Sequence, residues 1–481
     1  MAVLTFEEIQ IQKLFGHEAA EDEEPSRLRE YYFKTATYEQ VITDLPLRIL
    51  VGHKGIGKSA LFQVAMSEDA EAGRVAILIK PDDVVSLGVD TSDFLKTIRD
   101  WKTGMLSIIT EKVVDALALG PSKSKKDIAK KIPLVDSLVA IVRERRTESS
   151  NCLLIDEFLS SRLVHVYIDD LDRGWLGRTE DVHRISALLN AIRDIGREHR
   201  GIRFRVSLRS DVYYLVRTSD ESTDKIEGSV VWHSWTNHEI FLLLAKRIET
   251  YFGRSLNELV LAKRLQAELA TYLDPVFESR FRGSGHWENA PMYRVLMSLI
   301  RKRPRDLVKL CTLAARRSRP RGGGKIVTED FEEIFEEYSQ GRIQDTINEF
   351  RSELPAIERL LLNMKPNRRE RTTKEGYVYG TDALLKKIEN VMQSGEFKFA
   401  NRRVAAPKDL AAFMYKINFL TARKEVPNGI VRRYFEENRY LQNEFADFGF
   451  DWEVHPAYRW ALQPDDVRKI YETLTLSADE R

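Results

Sequence analysis

The chain has 481 residues, 43% of them hydrophobic, which is length for about two to four domains with an ample core. Its 75 basic and 74 acidic residues nearly cancel to a net charge of +1, so overall charge gives no argument for nucleic-acid binding. Two cysteines, Cys152 and Cys311, exclude a disulfide framework or a cysteine metal cluster and suit a reducing cytoplasm; no apolar run is long enough to span a membrane, and the first residues lack the pattern of a signal peptide.

Residues 1–44 carry an acidic stretch and then an aromatic one, Arg29-Glu30-Tyr31-Tyr32-Phe33, and read as a helical lead-in that packs beside the carboxyl edge of the sheet that follows. From Leu47 to about His233, short apolar runs alternate with helical patterns, the signature of an α/β domain with a parallel sheet. Strands are predicted at 47–51, 75–79, 163–168, 203–208 and 229–233, with helices between them, notably 92–119 and 180–198. A lysine-rich break, Pro121–Lys126, interrupts the insert between the second and third strands. From Thr236 the pattern turns helical. Thr236 and Glu239 fit a capping box, and helices follow near 256–273, 290–301, 305–317 and 328–340, with a flexible basic loop at Arg316–Gly324. Residues 350–475 read as a separate region, with helices near 353–364, 381–394 and 407–416. Strand-like pieces at 429–435 and 451–454 complete the pattern of a winged helix-turn-helix. The expected domains are thus a lead-in (1–44), a parallel-sheet P-loop core (45–235), a helical lid (236–345) and a winged helix-like C-terminal domain (346–481).

Directly after the first strand, Gly52-His53-Lys54-Gly55-Ile56-Gly57-Lys58-Ser59 spells GxxxxGK[ST], a Walker A phosphate loop. Glycines 52, 55 and 57 let the backbone wrap a polyphosphate with its N–H groups inward. Lys58 is placed to reach the β- and γ-phosphates, the Ser59 hydroxyl to ligate Mg²⁺, and the helix opening near Lys58 and running on through Ala60 to add its positive end. His53 is open to two readings, a phosphate contact or an incidental variable position.

Hydrolysis needs a second-strand acid for Mg²⁺ and a carboxylate to orient water. Two segments compete, Leu153-Leu154-Ile155-Asp156-Glu157 and Val164–Asp170. Five residues separate Glu157 from Leu163, too few for the dozen or so that a parallel crossover takes, so the two cannot be successive parallel strands. A full helix separates Asp170 from the next strand. Walker B is therefore placed at 163–170 and 150–160 is read as a helix. Asp169 is expected at Mg²⁺ and Asp170 at the attacking water; Asp172 reads as a cap or salt-bridge partner. Arg173 is open between a finger acting in trans and a partner for Asp172. The fourth strand ends on Arg209, which a parallel sheet points at the ligand edge, where a fixed guanidinium suits a phosphate sensor. Arg305, in the helix start Lys302–Leu310, is the expected second sensor, in preference to Arg303.

These motifs occur in the order Walker A, Ile168-Asp169-Asp170-Leu171-Asp172-Arg173-Gly174-Trp175, a strand-ending arginine, Arg303-Pro304-Arg305-Asp306 and the late Val454-His455-Pro456-Ala457. Together they resemble the STAND/KAP-like branch of the AAA-type P-loop ATPases, in its stand-alone form associated with mobile elements and antiphage defence. The resemblance implies ATP as ligand, with Lys58, Asp170, Arg209 and Arg305 in catalysis, Ser59 and Asp169 at Mg²⁺, and a cytoplasmic homo-oligomer that controls a separate effector protein. KAP proteins carry membrane helices and STAND proteins carry sensor repeats; neither is evident here. A DNA-binding ATPase regulator is the competing expectation, resting on the winged-helix pattern and on basic clusters at 143–146, 316–321, 368–374 and 402–403. A slow-turnover nucleotide-bound scaffold is the third. The aromatic tail (Phe445, Phe448, Phe450, Trp452, Tyr458, Trp460) reads as core.

Overall fold

The structure is a computed structural model. It describes residues 4–119, 163–175, 177–219, 221–370, 376–427, 429–438, 449–463 and 467–479. The Pro121–Lys126 break, the 143–146 cluster, the Asp156/Glu157 segment, Cys152, Phe445 and Phe448 lie outside the described residues. The fold is α/β, and two compact units can be distinguished: Lys34–Lys54 with Lys58–His233, and Met1–Phe33 with Gly55–Gly57 and Ser234–Arg481.

In the first unit, five apolar runs form a parallel sheet: β1 (Leu47–Gly52), β2 (Val75–Ile79), β3 (Val164–Ile168), β4 (Ile202–Arg209) and β5 (Val230–Trp232). Their order across the sheet is β2-β3-β4-β1-β5. Burial is nearly continuous along β1, β3 and β4, as expected of strands covered on both faces. The amphipathic helix Thr179–Glu198 packs Val182, Ile185, Leu188, Leu189, Ile192 and Ile195 into this core. Register decides what meets at the strand ends. Gly52 of β1 pairs with Arg209 of β4, and Ile168 of β3 with Val206 of β4. The residues that follow β1 and β3 and the one that closes β4 therefore share the carboxyl edge, where α/β sheets bind ligands.

The second unit is mainly helical. Thr236 caps Asn237–Tyr251: its Oγ1 accepts from Glu239 N at 3.1 Å and Glu239 Oε2 accepts from Thr236 N at 2.8 Å, the reciprocal capping box. The helix starting at Pro304 runs on to Arg321, with Gly322 ending it in the left-handed conformation (φ 66°). The 316–321 part of the expected flexible loop Arg316–Gly324 is therefore corrected to helix. Pro320 is tolerated in the last turn, and ion pairs hold the arginines: Arg316 to Glu8 (2.8 Å), Arg319 to Glu7 (2.6 Å), Arg321 to Asp330 (2.7 Å) and Arg317 to Glu333.

Two short strands, β6 (Arg280–Arg282) and β7 (Glu288–Pro291), make a hairpin that periodicity did not signal. Further on, the helices Ile357–Leu362, Thr381–Met392 and Pro407–Lys416 are accompanied by a four-stranded antiparallel sheet, β10-β9-β11-β8. Its strands are β8 (Val378–Tyr379), β9 (Leu420–Val426), β10 (Gly429–Arg433) and β11 (Asp451–Val454). Trp452, Tyr458 and Trp460 are buried, and Trp460 lies 4.6 Å from Phe335 between ring centroids.

Glu453 of β11 is fully buried between two arginines. Arg432 Nε donates to its Oε2 at 2.7 Å, and Arg459 Nη2 to its Oε1. Burial pushes the carboxyl up, but Arg432 and Arg459 outweigh it and hold the group at about 2, below its ordinary 4.5. A depressed folded-state value contributes stability that is present above 4.5 and lost as pH falls toward 2. Urea midpoints should therefore drop across that window, and Glu453→Gln should flatten the drop while lowering the neutral-pH midpoint; an unchanged acid limb in the variant would contradict the assignment.

Candidate phosphate-binding site

β1 delivers the chain to the loop at Gly52, and the helix Lys58–Glu71 takes it away. Gly55 and Gly57 have φ of 78° and 105°, a region that side-chain-bearing residues rarely adopt. A Cβ on Gly55 would lie 3.0 Å from Arg305 Cβ and 3.1 Å from Arg305 Cδ. The Arg305 backbone N donates to Gly55 O at 3.3 Å, and Trp235 Nε1 donates to Ile56 O at 2.8 Å, with Ile56 buried. Both carbonyls at the loop's tip are thus occupied; the donors of a phosphate cradle in such a loop would be its peptide N–H groups. Lys58 Nζ donates to Gly52 O at 2.8 Å and His53 O at 3.1 Å, so the loop's own carbonyls aim the ammonium. Lys54 is exposed; Ser59 and Ala60 form the first, half-buried turn of the helix.

Around this loop the first unit gathers charge. Asp169 follows β3, its N–H held by Ile79 O at 3.1 Å, and its Oδ1 accepts from the Ser207 hydroxyl of β4 and from Asp170 N. Asp170 is exposed, with a left-handed φ of 59°, a backbone state that non-glycine residues keep mainly where the surroundings impose it. Arg209 donates to Asp211 through Nε at 3.0 Å and Nη2 at 2.6 Å, and its Nε lies 3.4 Å from Asp172 Oδ2. Burial pushes the Asp172 carboxyl up, against the pull of Arg209 and Lys58. His53 is buried, with Nδ1 3.1 Å from Ser210 Oγ, which ties the loop to the end of β4. His233 continues the sheet beside β1, its N–H on Val51 O at 2.8 Å. Its imidazole is held at about 3, first by burial and then by the Lys58 ammonium, and is neutral at physiological pH.

The Ser59 hydroxyl and the Asp169 carboxylate are hard oxygen donors, the kind Mg²⁺ prefers. Among the described residues no group of three or more His, Cys, Asp and Glu is placed to hold a metal unaided. An ion here would take its remaining ligands from phosphate and water, as Mg²⁺ commonly does.

A model described as the FunZ-associated C-terminal helical domain matches residues 254–347. In sequence, the chain is similar to an 80.3 kDa protein ascribed to transposon gamma-delta in Escherichia coli (strain K12), 22% identical over 514 residues, covering 95% of this chain and 69% of that protein. Among solved structures it is similar to a Walker-type ATPase of Pyrococcus abyssi (12% identity, 84% of this chain and 93% of that one, TM-score 0.41). It is also similar to the Aeropyrum pernix ORC2 protein (12%, 84% and 88%, TM-score 0.41). At these levels the structural likenesses assign no activity; the α/β assignment stands on the sheet described above.

Of the residues singled out in the sequence, Lys58, Asp169, Asp170 and Arg209 all sit at the carboxyl ends of β1, β3 and β4 or in the segments that follow them. Asp172 is a salt-bridge partner, and its partner is Arg209; the Arg173 side chain is exposed. Arg305 meets the loop tip through its backbone, while its Nε donates to Glu18 O at 3.1 Å. Arg303 is buried, 3.3 Å from Glu349. Sequence reading passed over Ser207, Ser210, Asp211 and His233. Asp211 alone carried a signal, an acid two residues after the strand-ending arginine.

Proposed function

We propose that this chain binds ATP with Mg²⁺ on Gly52–Ala60, hydrolyses it, and works as a molecular switch. The observation that carries the reading is the register of the sheet. It sets Gly52 against Arg209 and brings Asp169 onto Ser207, so a cradle, a metal ligand and a cation share one edge. Lys58 and the helix start neutralise phosphate charge. Ser59 and Asp169 would hold Mg²⁺, and a bound ion would supply charge neutralisation for the phosphates. Asp170 orients water, Arg209 stabilises charge on the terminal phosphate, and Arg305 reports loop occupancy from its helix. The absence of an Asn-Lys-x-Asp guanine signature in the sequence supports adenine over guanine as the base.

The resemblance to STAND/KAP-like ATPases supports nucleotide-dependent self-assembly that controls a separate effector, in antiphage defence, and the transposon relative fits carriage on mobile elements. The DNA-binding alternative draws less support. The helix Pro407–Lys416, which would be the reading helix of a winged-helix domain, is buried from Phe413 to Lys416 and fully exposes only Lys408. The arginines of 316–321 are paired with acids.

The test is phosphate release by the purified full chain with Mg²⁺ and ATP, alongside particle size with ATP, with ADP and without nucleotide. Asp170→Asn should keep ATP binding and lose turnover by about a hundredfold or more, the scale of a positioned base. Unchanged turnover in that variant would remove Asp170 from the mechanism. Tight occupancy without phosphate release in the parent would make the protein a scaffold instead.

A further inference from the structure

Arg209 is gripped by two carboxylates, and the grips are unequal. Asp211, 3% exposed, takes Nε and Nη2 at 3.0 and 2.6 Å in the fork geometry that fixes a guanidinium plane. Asp172 approaches Nε alone, at 3.4 Å, longer than an ordinary N–H···O bond. Asp172 also feels the Lys58 ammonium, so it sits in the field that would draw phosphate. Next to Arg209 in the chain, Ser210 ties the strand end to His53 of the loop.

We propose that Asp211 is a positioning residue that fixes the Arg209 guanidinium beside the phosphate loop, and that Asp172 is the exchangeable partner, displaced when the terminal phosphate of a nucleoside triphosphate takes its place on Arg209. The inference rests on the nucleotide-binding reading above. A diphosphate lacks the displacing group and leaves the Arg209–Asp172 contact made. Arg209, held by Asp211, thereby gives the site a preference for triphosphate over diphosphate, and competition from Asp172 reduces it.

The experiment is equilibrium titration of the full chain with a non-hydrolysable ATP analogue and with ADP, both with Mg²⁺. Asp211→Asn should lower the triphosphate-to-diphosphate affinity ratio by about tenfold or more, the worth of one hydrogen bond to a charged group, with ADP affinity near the parent's. Asp211→Glu, which restores the charge, should recover part of the ratio. Asp172→Asn removes the competitor and should raise the ratio. A parent-like ratio in Asp211→Asn, or a fall in Asp172→Asn, overturns the proposal while parent binding leaves the nucleotide reading standing. A parent that binds neither nucleotide overturns both. Should Asp211→Asn fail to fold, the Asp172→Asn and Asp211→Glu arms decide.

Discussion

Lys58→Ala is expected to weaken ATP binding by about a hundredfold or more, because it removes a charge-assisted contact to phosphate and a loop brace together. An ammonium offers three donors, and in this structure Gly52 O and His53 O take bonds of 2.8 and 3.1 Å from it. Alanine therefore leaves the cradle without its cation and without the bonds that shape its mouth. It also removes one positive neighbour of Asp172, beside Arg209, and the positive neighbour that helps hold His233 down. The His233 imidazole should then protonate somewhat more easily, since one of the two causes holding it down is gone. Titration with a fluorescent ATP analogue measures the main effect, and histidine NMR at acid pH measures the second. An affinity within about threefold of the parent's is too small for loss of a charged hydrogen bond and would sink the phosphate-loop reading.

Asp306→Asn should be the most destabilising polar substitution in the helical unit, by about 3–5 kcal/mol, the cost of breaking a buried pair from one side. Asp306 is 1% exposed. Arg301 donates to it through Nε at 2.7 Å and Nη2 at 2.9 Å, and Arg342 through Nη1 at 2.6 Å. Arg301 also donates to Thr346 Oγ1 and Tyr458 Oη. Burial raises the Asp306 carboxyl, but Arg301 and Arg342 overcome it and hold the group far below the usual carboxylate range. One carboxylate thus ties the start of Pro304–Arg321 to Phe335–Phe350 and, through Arg301, to Tyr458. The amide cannot balance two buried guanidinium charges. Arg305→Ala, one residue away and only half-buried, should shift the urea midpoint far less. Equal shifts for the two variants would show that the network contributes no special stability.

Much of this architecture is legible locally. Apolar runs between helical patterns announce β1 to β5. Walker A follows from its spacing, and the Thr236/Glu239 cap forms between residues three apart. The crossover-length argument needs only chain connectivity, and a strand, β3, forms at Val164–Ile168. Harder to read were β9, whose sequence Leu-Thr-Ala-Arg-Lys-Glu-Val lacks clean alternation, and the short β6–β7 hairpin. The basic stretch 316–321 reads as a loop because Pro320 and three following glycines signal a break, yet helix persists to Arg321. Acids at positions 7, 8, 330 and 333, most of them remote in sequence, neutralise its arginines.

By itself, then, the sequence determines the Walker A pattern of a candidate phosphate loop, the strands β1 and β3 and the arginine that closes β4, because each depends on neighbours a few residues apart or on the length of a crossover. Tertiary structure alone decides that β4 lies between β3 and β1. That order sets Arg209 opposite Gly52 and brings Asp172 to its guanidinium beside the neighbouring Asp211. Charge pairing between distant segments follows strand order and register, and no local periodicity encodes either.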